Sequence, residues 1–190
     1  MLTKISANKS LKDPLLFNGT LRKNLDPFNE YRDDEIWSAL KQVQLHAAFF
    51  TKGDSQKDFP LDLVKVNEGG ANFSVGQRQL ICLARAILKN NRILVMDEAT
   101  ANVDPETDEL IQRTIRERFA NCTILTVAHR LHTILDSDRI LVLSDGELEE
   151  FDTPEKLMEN PDGAFQSLIN SMDEVDRAEL FQKVNERKNK

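Results

Sequence analysis

The sequence predicts an α/β fold with a mainly parallel sheet, on three observations. Residues 92–97 and 122–128 are continuous apolar runs of strand length, typical of strands buried on both faces of a sheet. A segment with helical apolar periodicity, which begins at Asp104, separates these two runs. A third apolar run follows at 138–143. Alternating strands and helices are the pattern of a parallel sheet.

Composition narrows the class of protein. The chain has 190 residues, of which 40% are hydrophobic and 30% charged, and its net charge is −7. This is enough for one domain, and the acidic balance argues against nucleic-acid binding, which needs clustered Lys and Arg. No apolar run approaches the roughly 20 residues that span a bilayer, and the first residues have no secretory apolar core. The two cysteines, Cys82 and Cys122, are predicted to be reduced, buried thiols.

The first half of the chain gives few regular elements. Residues 1–12 have no assignable pattern, and 15–20 is predicted as an extended piece that ends in a turn. Asp33 is predicted to cap a helix whose apolar residues lie on one face. Residues 51–72 hold three glycines and a proline and are predicted to be mostly loop.

The second half is more regular. An amphipathic helix is predicted to begin near Gly76 and to end at residues 90–91. Asp104 is predicted to cap the next helix, with proline in the first helical position. Residues 144–146 are predicted to turn the third strand into a hairpin. Two short helices follow, one beginning at Pro154, before the sequence becomes highly charged.

Three polar positions are predicted to lie where ligands bind, at the carboxyl ends of the strands. Asp97 and Glu98 follow the first apolar run, and His129 follows the second. An Asp in this place can hold Mg²⁺, and a neighbouring carboxylate can orient or deprotonate a water. Each residue alone is equally typical of a polar strand end.

A fourth candidate lies at the start of the predicted helix. Ser74, Val75, Gly76 and Gln77 would present backbone N–H groups and a hydroxyl at the positive end of that helix, which suits a phosphate. A simple serine cap next to a flexible glycine explains the same residues without a ligand.

Order and spacing make the combination specific. The segments 72–80, 93–104 and 126–131 resemble the signature, Walker B with D-loop, and H-loop segments of ABC ATPases. The flanking segments 16–28 and 68–76 are similar to the multidrug resistance-associated (C) subfamily of ABC exporters. The glutamate at position 98, next to Asp97, resembles the corresponding residue in that subfamily's second nucleotide-binding domain. The resemblance implies a P-loop NTPase-like fold with a helical signature subdomain.

The resemblance also implies roles, with ATP and Mg²⁺ as ligands. Asp97 would support the metal, Glu98 would serve the attacking water, and His129 would contact the γ-phosphate. The segment 74–77 would face ATP held by a second nucleotide-binding domain in a head-to-tail dimer, and Asp104 would couple the two sites. Further partners would be the transmembrane domains of a transporter, which places the chain at the cytoplasmic face of a membrane.

The sequence departs from the family pattern in its first residues. It contains no Gly-x-x-x-x-Gly-Lys-[Ser/Thr] loop for phosphates, and Lys12 stands where the family has a glutamine. The expectation is a partial ABC ATPase domain over 13–172, truncated at its N-terminus, with 1–12 unassigned and 173–190 as a charged tail. Such a chain is predicted to be inactive alone.

Two alternative functions stay open on the sequence. The first alternative is a non-catalytic module that docks on another ABC cassette and supplies its signature loop in trans. A chromosome-maintenance ATPase lobe would share the signature and Walker B segments, but it would also show long coiled-coil heptads before the signature. The sequence has no such heptads, which favours the transporter.

Overall fold

The computed structural model describes residues 15–49, 60–97, 103–127, 135–174, 177–178 and 180–181, with 47, 48 and 97 described by their backbone alone. The chain divides into two compact units, Met1–Val127 and Ala128–Lys190. Each unit has its own cluster of buried apolar side chains.

The first unit combines helices with two short pairs of strands. The elements in chain order are β1 (Gly19–Thr20), α1 (Leu21–Leu25), α2 (Asp33–Gln42), β2 (Lys65–Val66), α3 (Val75–Lys89), β3 (Ile93–Asp97), α4 (Pro105–Arg118) and β4 (Thr123–Val127). Three short 3-10 helices lie at His46–Phe49, Leu61–Leu63 and Glu68–Gly70.

Helix α3 is the helix predicted near Gly76, and the prediction is confirmed. Its apolar face is almost wholly inaccessible, with Ile81 and Ala84 at 0% exposure. Asn90 ends the helix in the left-handed conformation, at φ 44°.

Cys82 lies on the same helix, and burial raises the pKa of its thiol. Both cysteines are free thiols, and Cys122 is half-buried.

The start of α2 differs from the prediction. Asp33 is the first helical residue, and Arg32 holds the cap position. The backbone N–H of Arg32 donates to a carboxylate oxygen of Glu35 at 2.8 Å. Three acidic residues in succession offer several candidate caps, and the one three residues past the cap position has the geometry to reach back.

The two segments predicted as an extended piece and a loop hold more structure than expected. Strand β1 pairs antiparallel with β2, so that Gly19 lies opposite Val66. The hydroxyl of Thr20 accepts from the N–H of Lys23 and caps α1, a helix that the sequence did not indicate. Its Asn24 is fully buried, and the guanidinium of Arg85 on α3 donates to the backbone oxygen of Asn24 at 2.7 Å. These contacts join residues far apart in sequence.

Strands β3 and β4 form the predicted parallel pair, with Ile93 opposite Thr123 and Asp97 opposite Val127. Strand β3 buries Leu94, but every residue of β4 is exposed. The prediction that β4 is buried on both faces is therefore wrong for the structure described. Among the described residues β3 is the only strand that pairs with β4, so β4 has a neighbour on one side alone.

The second unit follows the prediction closely. Strands β5 (Ile140–Ser144) and β6 (Glu147–Asp152) form an antiparallel hairpin. Asp145 and Gly146 turn the chain with φ of 50° and 83°, as expected for a two-residue hairpin turn. Two short helices, α5 (Pro154–Met158) and α6 (Ala164–Asn170), complete the unit and bury Leu157, Phe165 and Ile169.

The third predicted strand thus pairs antiparallel in its own unit. Within the described part of the chain, one strand pair is parallel and two are antiparallel. In the same part of the chain, every helix is too short or too polar to cross a membrane.

Candidate functional site

The start of α3 is built as a reciprocal cap. The hydroxyl oxygen of Ser74 accepts from the backbone N–H of Gln77 at 3.1 Å. In return, the amide oxygen of Gln77 accepts from the backbone N–H of Ser74 at 3.0 Å. This pattern satisfies two backbone donors and fixes both side chains at the helix start.

The cap uses only the acceptor atoms of the two side chains. The O–H of Ser74 and the amide N–H groups of Gln77 are not consumed by it, and both are donors. The first backbone N–H groups of a helix have no acceptor within the helix. The N–H groups of Val75 and Gly76 are therefore further donors at this position. Donors gathered at the positive end of a helix dipole fit an anion such as a phosphate of ATP.

The loop before α3 is held by two side chains. Asn72 accepts from the backbone N–H of Asn67 and donates to the backbone oxygen of Lys65, both at 2.9 Å. Arg78 donates to the backbone oxygen of Gly69 at 3.1 Å. The loop that leads to Ser74 is therefore fixed at both ends.

Gly70 is required by the same loop. Its φ is 72°, and a β-carbon there would lie 2.7 Å from a methyl carbon of Leu16 and 2.9 Å from Cδ of Arg78. The backbone conformation strains any other residue at this position, and a β-carbon would also require the side chains of Leu16 and Arg78 to shift.

Asp104 caps α4 as predicted. Its carboxylate accepts from the backbone N–H of Thr107 at 2.9 Å, and Pro105 is the first helical residue. Hydrogen bonds from the backbone and side chain of Thr107 hold the pKa of Asp104 below its usual value. The side chain of Thr107 also packs against Gly76, so the starts of α3 and α4 meet.

The remaining predicted site residues are placed only in part. The backbone of Asp97 ends β3 directly opposite Val127, the last residue of β4. Asp97 supplies a carboxylate, an oxygen ligand of the kind that Mg²⁺ prefers. Glu98 and His129 lie outside the described residues. The structure thus brings together 74–77 and Asp104, while the roles of Asp97, Glu98 and His129 remain predictions.

No separate role was expected from the sequence for Asn72, Arg78 or Thr107. A signal for Thr107 was present, since a residue three positions after a capping Asp often bonds to it. For Asn72, the signal was a side chain that bonds readily to nearby backbone groups in turns. Neither signal identifies the partner across the fold.

Known proteins resemble the chain over most of its length. The ABC transporter family profile matches residues 4–101. ATP-binding cassette sub-family C member 4 of Mus musculus is 56% identical over 170 residues, which are 89% of this chain and 12% of that protein. ABC transporter C family member 3 of Dictyostelium discoideum is 58% identical over 159 residues, 83% of this chain and 11% of that protein.

A solved structure agrees in fold. A bacterial Atm1-family ABC exporter with ATP bound matches with a TM-score of 0.74 and 30% sequence identity, over 90% of this chain and 29% of that one. The chain thus spans about one eighth of the length of the curated relatives. The resemblance read from the motifs is confirmed, and the chain belongs to the ABC transporter family, with its close similarity to multidrug resistance-associated (C) members.

Proposed function

We propose that the chain is part of the ATP-binding and ATP-hydrolysing domain of an exporter that couples ATP hydrolysis to transport across a membrane. The observation that carries this is the start of α3. There the reciprocal cap uses the acceptor oxygens of Ser74 and Gln77, so their donor groups stay available to a phosphate. Relatives named as C-subfamily ABC proteins and a neighbour named as an exporter with ATP bound support it.

The proposal assigns a partner. Residues 74–77 face the γ-phosphate of an ATP held by the Walker A loop of a second nucleotide-binding domain, in a head-to-tail dimer. The sequence supplies donors at this position without supplying a Gly-x-x-x-x-Gly-Lys-[Ser/Thr] loop of its own. Charge stabilisation from both sides of a transferring phosphoryl group makes the dimer part of the chemistry. The transmembrane domains of the transporter are the other partners, and they place this domain, 13–172, at the cytoplasmic face of the membrane.

Four further residues complete the proposed site. Asp97 holds Mg²⁺, which would neutralise charge that develops on the phosphates. Glu98 orients or deprotonates the attacking water, and His129 contacts the γ-phosphate. Asp104, the cap of α4, belongs to the loop that couples one ATP site to the other. Its lowered pKa keeps it ionised at neutral pH.

A second candidate function is a module that supplies the α3 start to another cassette without turnover of its own. The observation that favours it is the start of α3, where the donors of Ser74 and Gln77 need no catalytic group of this chain to contact a phosphate. The two candidates differ in whether Glu98 matters, because only the first uses a water-directing carboxylate in this chain.

The test is Glu98→Gln in a full-length transporter that contains this sequence. We expect ATP to remain bound while phosphate release at this site stops, because Glu98 serves the water and other groups hold the phosphates. Nucleotide trapping and phosphate release are measured on the same preparation, with Glu149→Gln on β6 as a control for a charge lost away from the site. Unchanged release in Glu98→Gln favours the non-catalytic module.

A second measurement uses the 190-residue chain alone. Its ATP turnover should be undetectable, because the backbone amides and lysine of a phosphate loop are not encoded in it. Magnesium-dependent turnover on the order of 1 s⁻¹ that Glu98→Gln abolishes would contradict this expectation.

A further inference from the structure

Gly76 is buried by a side chain that lies 31 positions further along the sequence. A β-carbon on residue 76 would lie 2.8 Å from Cγ2 of Thr107, and 3.3 Å from its Cβ and its Oγ1. Carbon atoms in contact are usually about 3.5–4.0 Å apart. Residue 76 therefore has space for a hydrogen and no space for a methyl group, and the first turns of α3 and α4 touch here.

Thr107 is a stiff link at this contact. It is β-branched and lies in the first turn of α4, so its side chain has few alternative rotamers. Its backbone N–H donates to the carboxylate of Asp104 at 2.9 Å, and this bond is the largest cause that lowers the pKa of Asp104. One face of Thr107 thus holds Asp104, while its methyl group lies against Gly76.

We propose that Thr107 is a positioning residue, which holds the first turn of α3 in a fixed place relative to Asp104. Residues 74–77 and Asp104 then move as one body when ATP binds or leaves. The proposal rests on the proposed function, in which 74–77 face a phosphate and Asp104 couples the two ATP sites. The methyl group sets the distance between the helix starts, and the backbone N–H of Thr107 holds the carboxylate of Asp104.

The test is a set of paired substitutions in a full-length transporter that contains this sequence. Gly76→Ala places a methyl group against Thr107, which pushes the helix starts apart by a few tenths of an ångström. We expect ATP turnover per folded transporter to fall about tenfold, since misplacement of positioning groups by about 1 Å can cost about a hundredfold. Adding Thr107→Ser removes Cγ2 and keeps the hydroxyl, and it should restore turnover to within about threefold of wild type.

The matched control is Gly76→Ala combined with Thr107→Val. Valine keeps the methyl group and deletes the hydroxyl, so it should leave the defect in place. The proposal is overturned if turnover in Gly76→Ala equals wild type, or if valine restores it as well as serine does. A loss of folded protein alone, without lower turnover in the protein that folds, also overturns it.

Thr107→Ser alone keeps the test decisive if Gly76→Ala does not fold. It removes Cγ2, and with it the contact that sets the distance to Gly76, so turnover should fall about threefold. Unchanged turnover contradicts the proposal. Failure of the proposed function is seen separately, because Glu98→Gln would then leave phosphate release intact in a protein whose Thr107 is unaltered.

Discussion

A carboxylate oxygen of Glu150 accepts a hydrogen bond of 2.7 Å from the backbone N–H of Phe165. The other carboxylate oxygen accepts from the side-chain amide of Asn160 at 3.2 Å. Glu150 is on β6 and Phe165 is in the first turn of α6, so this one side chain joins the hairpin to the helix. It supplies the anion at the helix start that Gly163, the residue in the cap position, cannot supply.

We expect Glu150→Ala to loosen α6. Loss of a cap of this kind costs about 1 kcal/mol, which is about a fivefold change in an opening equilibrium. Amide hydrogen exchange of peptides that cover 147–170 measures it, and Glu149→Ala on the same strand is the matched control. Exchange that rises equally in both variants would show that the Glu150 contact contributes nothing specific.

Two substitutions of Ser74 are expected to distinguish its role in capping α3 from its role in binding a phosphate. Ser74→Ala removes the cap and should lower the stability of the first unit by about 1 kcal/mol. Ser74→Asp keeps a capping oxygen, so the stability should stay near wild type, but its charge repels a phosphate. Urea unfolding at low protein concentration, followed by the fluorescence of the single, buried Trp37, reports the stability.

ATP turnover is then measured for both Ser74 variants in the full-length transporter. Ser74→Asp should lose more turnover than Ser74→Ala, the reverse of their order in stability. The same order in both measurements would mean that Ser74 acts only as a cap.

The stability that Asp104 supplies is expected to depend on acid pH. Its folded pKa is lowered, so it stabilises the fold above the usual Asp pKa of about 3.9, and this contribution is lost as the pH falls through the lowered value. Asp104→Asn retains a capping oxygen and does not titrate. The difference in melting temperature between wild type and Asp104→Asn should be constant above about pH 5. Below that pH the melting temperature of the wild type should fall relative to that of Asp104→Asn. A difference that is flat to low pH contradicts the assignment.

The exposed face of β4 is expected to drive association of the isolated chain. Leu125 and Val127 are 57% and 51% exposed on the same face of the strand. Leu125→Lys removes apolar surface that contributes about 1.5–3 kcal/mol when buried, so the association constant should fall by about tenfold or more. Sedimentation velocity over a range of concentrations measures it.

Thr123→Lys is the matched control for Leu125→Lys. It adds the same charge to the same face of β4 and removes little apolar surface. If both variants weaken association equally, the added charge on β4 is the cause and the loss of apolar contact is not.

The elements that the sequence predicted well are the ones specified by nearby residues. Helix α3 carries its own period, its serine cap and its terminal asparagine, and the β5–β6 hairpin carries its own turn. Strands β1 and β2 have two residues each and depend on pairing between positions 19 and 66. No local sequence pattern therefore predicts them. The apolar content of β4 predicted a strand correctly, but burial depends on neighbours that periodicity does not specify.

The candidate site divides in the same way. The reciprocal cap of Ser74 and Gln77 lies within four consecutive residues, and the sequence predicted a helix start there. The contact between Gly76 and Thr107 joins two helices, and the sequence offered no register by which to pair them. The two explanations of Gly76 that the sequence allows, a phosphate ligand and a flexible glycine beside a serine cap, therefore both leave out the side chain of Thr107, which a β-carbon at residue 76 would meet at 2.8 Å.

The unequal burial of the two thiols predicts that they react with an alkylating reagent at different rates. Alkylating reagents react with thiolates, and burial of Cys82 both raises its pKa and blocks access to it. Cys122 is half-buried, and its sulfur lies 3.2 Å from the backbone oxygen of Asn91. A maleimide should therefore modify Cys122 first, and the later modification of Cys82 counts openings of the α3 core. Mass spectrometry of the intact chain can follow the two events without any engineered label.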